Sequence, residues 1–225
     1  MGGPNPQAVV FDFDGTIFDS ETPIFAATAA ALAEMGLALD IAGWSTAVGH
    51  GEDDSYAALC AAVGAVFDRQ EFEQRYATQD RSARDRQPAL PGVRELIGEL
   101  TEADVPLGIA SSSPASWVES HLERLGLRHA FSVVASCDRV GGRTKPDPAS
   151  FRMAAARLGA DPARSVAIED SRPGVAAALA AGLHVVVVPS EITSHTDLSA
   201  AHRRVASMAD LSLDTLRGYL HPPGN

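Results

Sequence analysis

The sequence predicts an α/β protein with a mainly parallel sheet and a helical unit inserted after the first strand. Two observations carry that reading. Short β-branched runs alternate with alanine-rich helical stretches, the pattern of parallel strands joined by crossover helices. About 90 residues then separate the first strand from the second, where a single crossover needs about a dozen.

The strand segments are AVVFDF (8–13), PLGIAS (106–111), FSVVAS (131–136), SVAIED (165–170) and LHVVVV (183–188). Between them, SWVESHLERLGL, SFRMAAARLGA and GVAAALAAGL read as helices closing at Gly126, Gly159 and Gly182, where a left-handed cap residue is expected. The insertion runs from about Thr22 to Gln87, and IFAATAAALAEMGL, DSYAALCAAVGAV and RQEFEQRYATQD within it carry apolar residues at helical spacing. Pro88 and Pro91 punctuate the return to the sheet. The expected division is therefore a sheet domain of residues 1–19 and 88–225 and a helical unit of residues 20–87.

With 225 residues and 45% hydrophobic content, the chain can bury a full core as one large domain or two unequal ones. Its net charge of −11 disfavours nucleic acid and anionic membranes, since both are polyanions bound through basic patches. A small ligand is the expected partner, bound by a monomer or weak homodimer. No apolar run reaches membrane-spanning length and the start MGGPNPQ has no signal-peptide pattern, so a cytoplasmic location is expected. Cys60 and Cys137 stand far apart and outside any CxxC pattern, which predicts free thiols.

The segment VVFDFDGTIFDSE (9–21) follows an apolar run with Asp12, Asp14, Asp19 and Glu21. In a strand, alternate residues share a side, so Asp12 and Asp14 project together from the carboxyl edge, where open parallel sheets bind ligands. Taken alone, DG after an apolar run is equally a hairpin turn. Glu169 and Asp170 end another strand, so two strand ends carry paired acids. Such carboxylates suit Mg²⁺ beside a phosphate, although either acid alone fits a helix N-terminus. In ASSSP (110–114), Ser113 is the expected N-cap and Pro114 the first helical residue. The free N–H groups there, helped by the hydroxyls of Ser111 and Ser112, make an anion site. Of the 18 basic residues 17 are Arg, and the one lysine, Lys145, lies in TKPDP. It supplies the fixed positive charge that phosphate and clustered carboxylates both require; the alternative is a solvated loop lysine.

In chain order, DFDGT, ASSS, KPDP and IEDS at four strand ends resemble the four motifs of the haloacid dehalogenase superfamily, over the whole chain. The acidic DSE and the helical insertion look most like the branch of β-phosphoglucomutase and sugar-phosphate phosphatases. The resemblance implies a Rossmann-like three-layer core, a helical cap and phosphate-monoester chemistry with Mg²⁺. Asp12 would be the nucleophile and Asp14 the general acid and base. Asp12, the Asp14 carbonyl and Asp170 would hold the metal, with Glu169 near its shell. Ser111 and Lys145 would hold phosphoryl oxygens, Lys145 also keeping Asp12 ionised, and Gly15 and Thr16 would bring the backbone close to the phosphate. Ile24 stands where the mutase has a histidine and Glu52 where its cap has an arginine, which favours a phosphatase over a phosphomutase; a silent phospholigand sensor is the rival of another class. Specificity would sit in the cap around VGHGEDD, with His50, Glu52 and Asp53 as candidates against a plain helix start. Asp19 and Glu21 lie at the entry to the insertion, where capping its first helix is their expected role.

Overall fold

A computed structural model describes residues 3–47, 52–80 and 82–220, and the side chains of residues 46, 47 and 52–55 lie outside that description. Six strands form one parallel sheet: β1 (Val9–Phe11), β2 (Leu107–Ala110), β3 (Val133–Ala135), β4 (Val166–Glu169), β5 (His184–Val187) and β6 (Arg203–Arg204). Their order is β3-β2-β1-β4-β5-β6, so β1 lies in the middle, Phe11 facing Ile109 on one side and Ile168 on the other. The strand order reverses at β1, and this is the point where an open α/β sheet leaves a crevice beyond its carboxyl ends.

Alternation along the strands divides the core into two layers. Val9, Phe11, Val166 and Ile168 pack under α6 (Val93–Glu102), α7 (Ala115–Arg124) and α10 (Leu213–Leu220). Val10, Ala167, Val185 and Val187 pack under α8 (Ala149–Arg157) and α9 (Arg172–Ala180). Each strand thus buries both faces, as a sheet covered by crossover helices must, and the architecture is the expected three-layer α/β core. Gly126, Gly159 and Gly182 all take left-handed conformations after α7, α8 and α9. The strand β6 has no counterpart among the five expected, because its two exposed arginines carry no apolar run; it pairs through backbone with β5 at the sheet edge.

Between β1 and α6 lie α1 (Glu21–Ala33), α2 (Ile41–Ala47), α3 (Glu52–Val63), α4 (Arg69–Thr78) and α5 (Ser82–Arg86). They gather a cluster of their own around Leu32, Trp44, Leu59 and Phe67, against which Ile24 packs and to which the core contributes Ile192. The helices α2 and α5 are too short for an apolar period to reveal them. No helix among the described residues is long and apolar enough to cross a membrane.

Candidate active site

The loop after β1 begins the site. The Asp12 N–H donates to the Ile168 carbonyl at 2.8 Å, tying the first acid to the end of β4, and the Gly15 N–H donates to the Phe18 carbonyl at 3.0 Å. Since β1 is flanked by parallel strands, the DG pair closes a loop at the sheet edge and not a hairpin. Gly15 has φ +82°, and a Cβ there would stand 2.4 Å from an Asp170 carboxylate oxygen. Glycine is therefore required twice over, by its backbone conformation and by the close approach.

Parallel register brings the ends of β1 and β4 together, and with them Asp12, Glu169 and Asp170, whose ligand atoms lie within 4.8 Å of one another. Lys145 reaches into this cluster from the loop before α8. Its Nζ donates to Asp12 Oδ1 and, at 2.6 Å, to Glu169 Oε1, while its backbone N–H donates to Ser112 Oγ at 3.1 Å. All four charged side chains are buried, none more than 8% exposed. The second Glu169 oxygen accepts from the Asp170 N–H, the Ser171 N–H and Ser171 Oγ at 3.0–3.1 Å, so Glu169 sits at the N-terminus of α9 as well as beside Lys145. That seat exists because residue 174 is glycine, whose Cβ would lie about 2.0 Å from the Glu169 carboxyl group. The Asp170 Oδ2 accepts from Thr193 Oγ1 at 3.3 Å.

Three buried carboxylates face one ammonium, and the balance shows in the proton affinities of Asp12 and Asp170. Burial first, then Glu169 and Asp14, push the Asp12 carboxyl up to about 7 although Lys145 pulls it down. Burial and then the Asp12 and Glu169 charges raise Asp170 well above the carboxylate range. Burial opposes the Lys145 charge, but Asp12 and Glu169 outweigh it and hold the ammonium above its usual value. Lys145 favours the ionised form of Asp12 through both its charge and its hydrogen bond, and burial among like charges works against it. An additional cation fits the cluster. Its donor set is all oxygen, which suits Mg²⁺; Glu169 is already occupied by four protein donors, leaving Asp12 and Asp170 the more open oxygens.

The remaining candidates are distributed around this centre. Ser111, buried at the end of β2, accepts the Ser113 N–H at 2.9 Å, and the Thr16 hydroxyl is buried without a protein partner among the described residues. The Asp14 carboxylate turns from the cluster to α7, accepting from Ser113 Oγ at 2.6 Å and Trp117 Nε1 at 3.0 Å. Ser113 is consequently not an N-cap, and Pro114 is not the first helical residue. Pro114 takes the cap position with extended backbone, and the free Ala115 N–H is satisfied by Asp138 Oδ1 at 3.0 Å. Asp19 is the acid that caps α1, accepting the Glu21 and Thr22 N–H groups at 3.2 and 2.9 Å. Glu21 instead feels the site: burial, then Asp14 and Asp19, push its carboxyl up to about 7 while Arg84 opposes them. Trp117, Arg84 and Thr193 were not found from sequence, since each acts across chain distances that no local pattern encodes; Ser113 was read only as a cap, and Gly174 only as part of a helix start. His50 lies outside the described residues, and Glu52 and Asp53 begin α3 with their side chains outside that description.

Comparison with known proteins agrees with this geometry. YhcW of Bacillus subtilis (strain 168) is 31% identical over 216 residues, covering 96% of this chain and 98% of that protein. Hexitol phosphatase B of Escherichia coli (strain K12) is 30% identical over 225 residues, covering 94% and 96%. Among solved structures, a HAD family hydrolase from Deinococcus radiodurans R1 with bound phosphate and sodium superposes with a TM-score of 0.78 at 31% identity, covering 98% of this chain and 100% of that one. The family model for haloacid dehalogenase-like hydrolases matches residues 9–188, a span that holds every residue of the buried cluster, and the chain belongs to that family.

Proposed function

We propose that this chain is a Mg²⁺-dependent phosphatase of small phosphomonoesters, sugar or polyol phosphates, working through an aspartyl-phosphate on Asp12. Residues 1–19 and 88–225 form its catalytic core and residues 20–87 a cap whose loop around His50, Glu52 and Asp53 selects the leaving group. The observation that carries the reading is Lys145 Nζ shared between Asp12 and Glu169 at the carboxyl edge. One Asp12 oxygen is anchored there, and among the described residues no protein donor occupies the other. The phosphatase relatives, including one acting on hexitol phosphates by name, support the substrate class.

In the first step the open Asp12 oxygen attacks phosphorus, the ester P–O bond breaks, and the departing oxygen takes a proton from the Asp14 carboxyl. In the second, Asp14 accepts a proton from water as that water attacks phosphorus; the Asp12–phosphorus bond breaks and inorganic phosphate leaves. Lys145, the Ser111 hydroxyl and the N–H groups of the loop after Asp12 stabilise the phosphoryl oxygens as charge spreads over them. Asp12 and Asp170, with the Asp14 carbonyl, would hold Mg²⁺, with Glu169 fixing them from behind. The bound ion would neutralise the clustered carboxylates and polarise the phosphoryl group.

The test is phosphate release from a panel of sugar, polyol and nucleotide monophosphates with Mg²⁺ or EDTA, on the wild type and Asp12→Asn. Metal-dependent release that disappears in the variant is expected. Interconversion of glucose 1-phosphate and glucose 6-phosphate without release would replace the phosphatase by a phosphomutase, and phosphate binding without turnover would make the chain a sensor.

A further inference from the structure

Among the site's acids, Asp14 is held by a different part of the protein. Asp12 and Glu169 are held by Lys145, whereas Asp14 is held at both oxygens by the start of α7, through Ser113 Oγ and Trp117 Nε1. Neither donor is needed to build that helix, whose first free N–H goes to Asp138. The indole is also fixed on its faces. The His121 ring lies 3.8 Å from its centroid, the Arg84 guanidinium of α5 lies 4.1 Å from it, and Phe18 packs at 6.1 Å. His121 is held in turn by an Nδ1 contact of 3.0 Å to the Trp117 carbonyl and by stacking on Phe18 at 5.1 Å. Turning the indole would break these contacts, so its N–H remains aimed at Asp14. A carboxylate oxygen offers two lone pairs, and each Asp14 oxygen keeps one after accepting from α7.

We propose that Ser113 and Trp117 are positioning residues that aim the Asp14 carboxylate, so that its free lone pairs meet first the departing ester oxygen and then the attacking water. Arg84 closes the stack from the inserted helices, so the clamp on Trp117 is complete only when α5 lies against α7. The inference rests on the proposed phosphatase reading, and it adds two residues that act through Asp14. Proton transfer by a positioned side chain is typically worth about 10²- to 10⁴-fold, and a misaimed group forfeits part of it.

Trp117→Phe keeps the ring and removes the N–H; Ser113→Ala removes the hydroxyl and Ser113→Thr restores it. Each is assayed with Mg²⁺ on sorbitol 6-phosphate, whose alkoxide leaves only with a proton, and on p-nitrophenyl phosphate, whose phenolate leaves without one. For sorbitol 6-phosphate, kcat falls about 10-fold in Trp117→Phe and in Ser113→Ala, with KM within about twofold and Ser113→Thr close to wild type. The initial burst of p-nitrophenolate keeps its wild-type rate in all three. In an Asp14→Asn background Trp117→Phe changes nothing further, because its target is already gone. Wild-type kcat in both Trp117→Phe and Ser113→Ala, an equal loss on both substrates, or an undiminished loss in the Asp14→Asn background would overturn the assignment. A wild type that releases phosphate from neither substrate would instead remove the phosphatase reading on which it rests.

Discussion

The carboxyl edge of the sheet and the inserted helices are held together by opposite means. At the edge, Asp12, Lys145, Glu169 and Asp170 are buried together and share donors, so each charge depends on the others for its compensation. In the insertion, α4 buries no residue, and its charges pair at the surface: Arg75 with Glu71 at 2.7 Å and with Glu34 at 3.2 Å, Arg69 with Glu73 at 2.8 Å. Water already solvates those partners. A buried charge stripped of its partner is costly, whereas an exposed pair is worth little. Substitution at the edge is therefore expected to cost more than substitution on the exposed face of α4.

The sharpest break of this contrast is Lys145→Met. It should reduce phosphate release by at least about 10³-fold, because it removes a charged donor aimed at the transferring group. It should also lower stability at pH 8 by about 3 kcal/mol, since two buried carboxylates, Asp12 and Glu169, lose the ammonium they share; phosphate release and urea unfolding read the two effects. Gly174→Ala tests the same region through sterics alone. Its Cβ would overlap the Glu169 carboxyl group, and a cost of about 2 kcal/mol in urea unfolding is expected, with reduced activity as Glu169 shifts. A wild-type midpoint would show that Glu169 has another seat.

Titration gives a smaller and graded effect. Asp12 and Glu21 rise from ordinary values of 3.8 and 4.5 to about 7 in the folded protein. Between those limits these two groups bind more protons in the folded state than in the unfolded one, so their contribution to stability is fully present below about pH 4 and is lost as pH rises through 7. The melting temperature of the metal-free protein should fall over that window, and Mg²⁺ should raise it more at pH 8 than at pH 5. A flat profile would mean that the cluster is already neutralised without metal. The smallest effect belongs to Arg75→Ala, which should leave both the urea midpoint and turnover close to wild type. A larger loss would erase the distinction between the two regions.

What could be read along the chain was what a few adjacent residues encode. Five strands, the glycine-closed helices and the four motif segments depend on apolar alternation, left-handed caps and residues within one turn of each other. The missed features follow the same logic in reverse. Arg203 and Arg204 form a strand because β5 offers an unpaired edge, and α2 and α5 are too short to show a period. Ser113, in a position where a local rule makes it a cap, is drawn to Asp14 instead because Asp138 has taken over the α7 terminus. The last helix, α10, buries Leu213 and Leu216 in the main core.

The sequence by itself determined which candidates gather: Asp12, Asp14, Ser111, Glu169 and Asp170 follow or end strands, and a parallel α/β sheet delivers its strand ends to one edge, to which the loop before α8 adds Lys145. Only the tertiary structure decided how those groups are held. Lys145 meets Asp12 across 133 positions and Trp117 meets Asp14 across 103. Contacts of that span are set by sheet order and helix packing, not by local propensity.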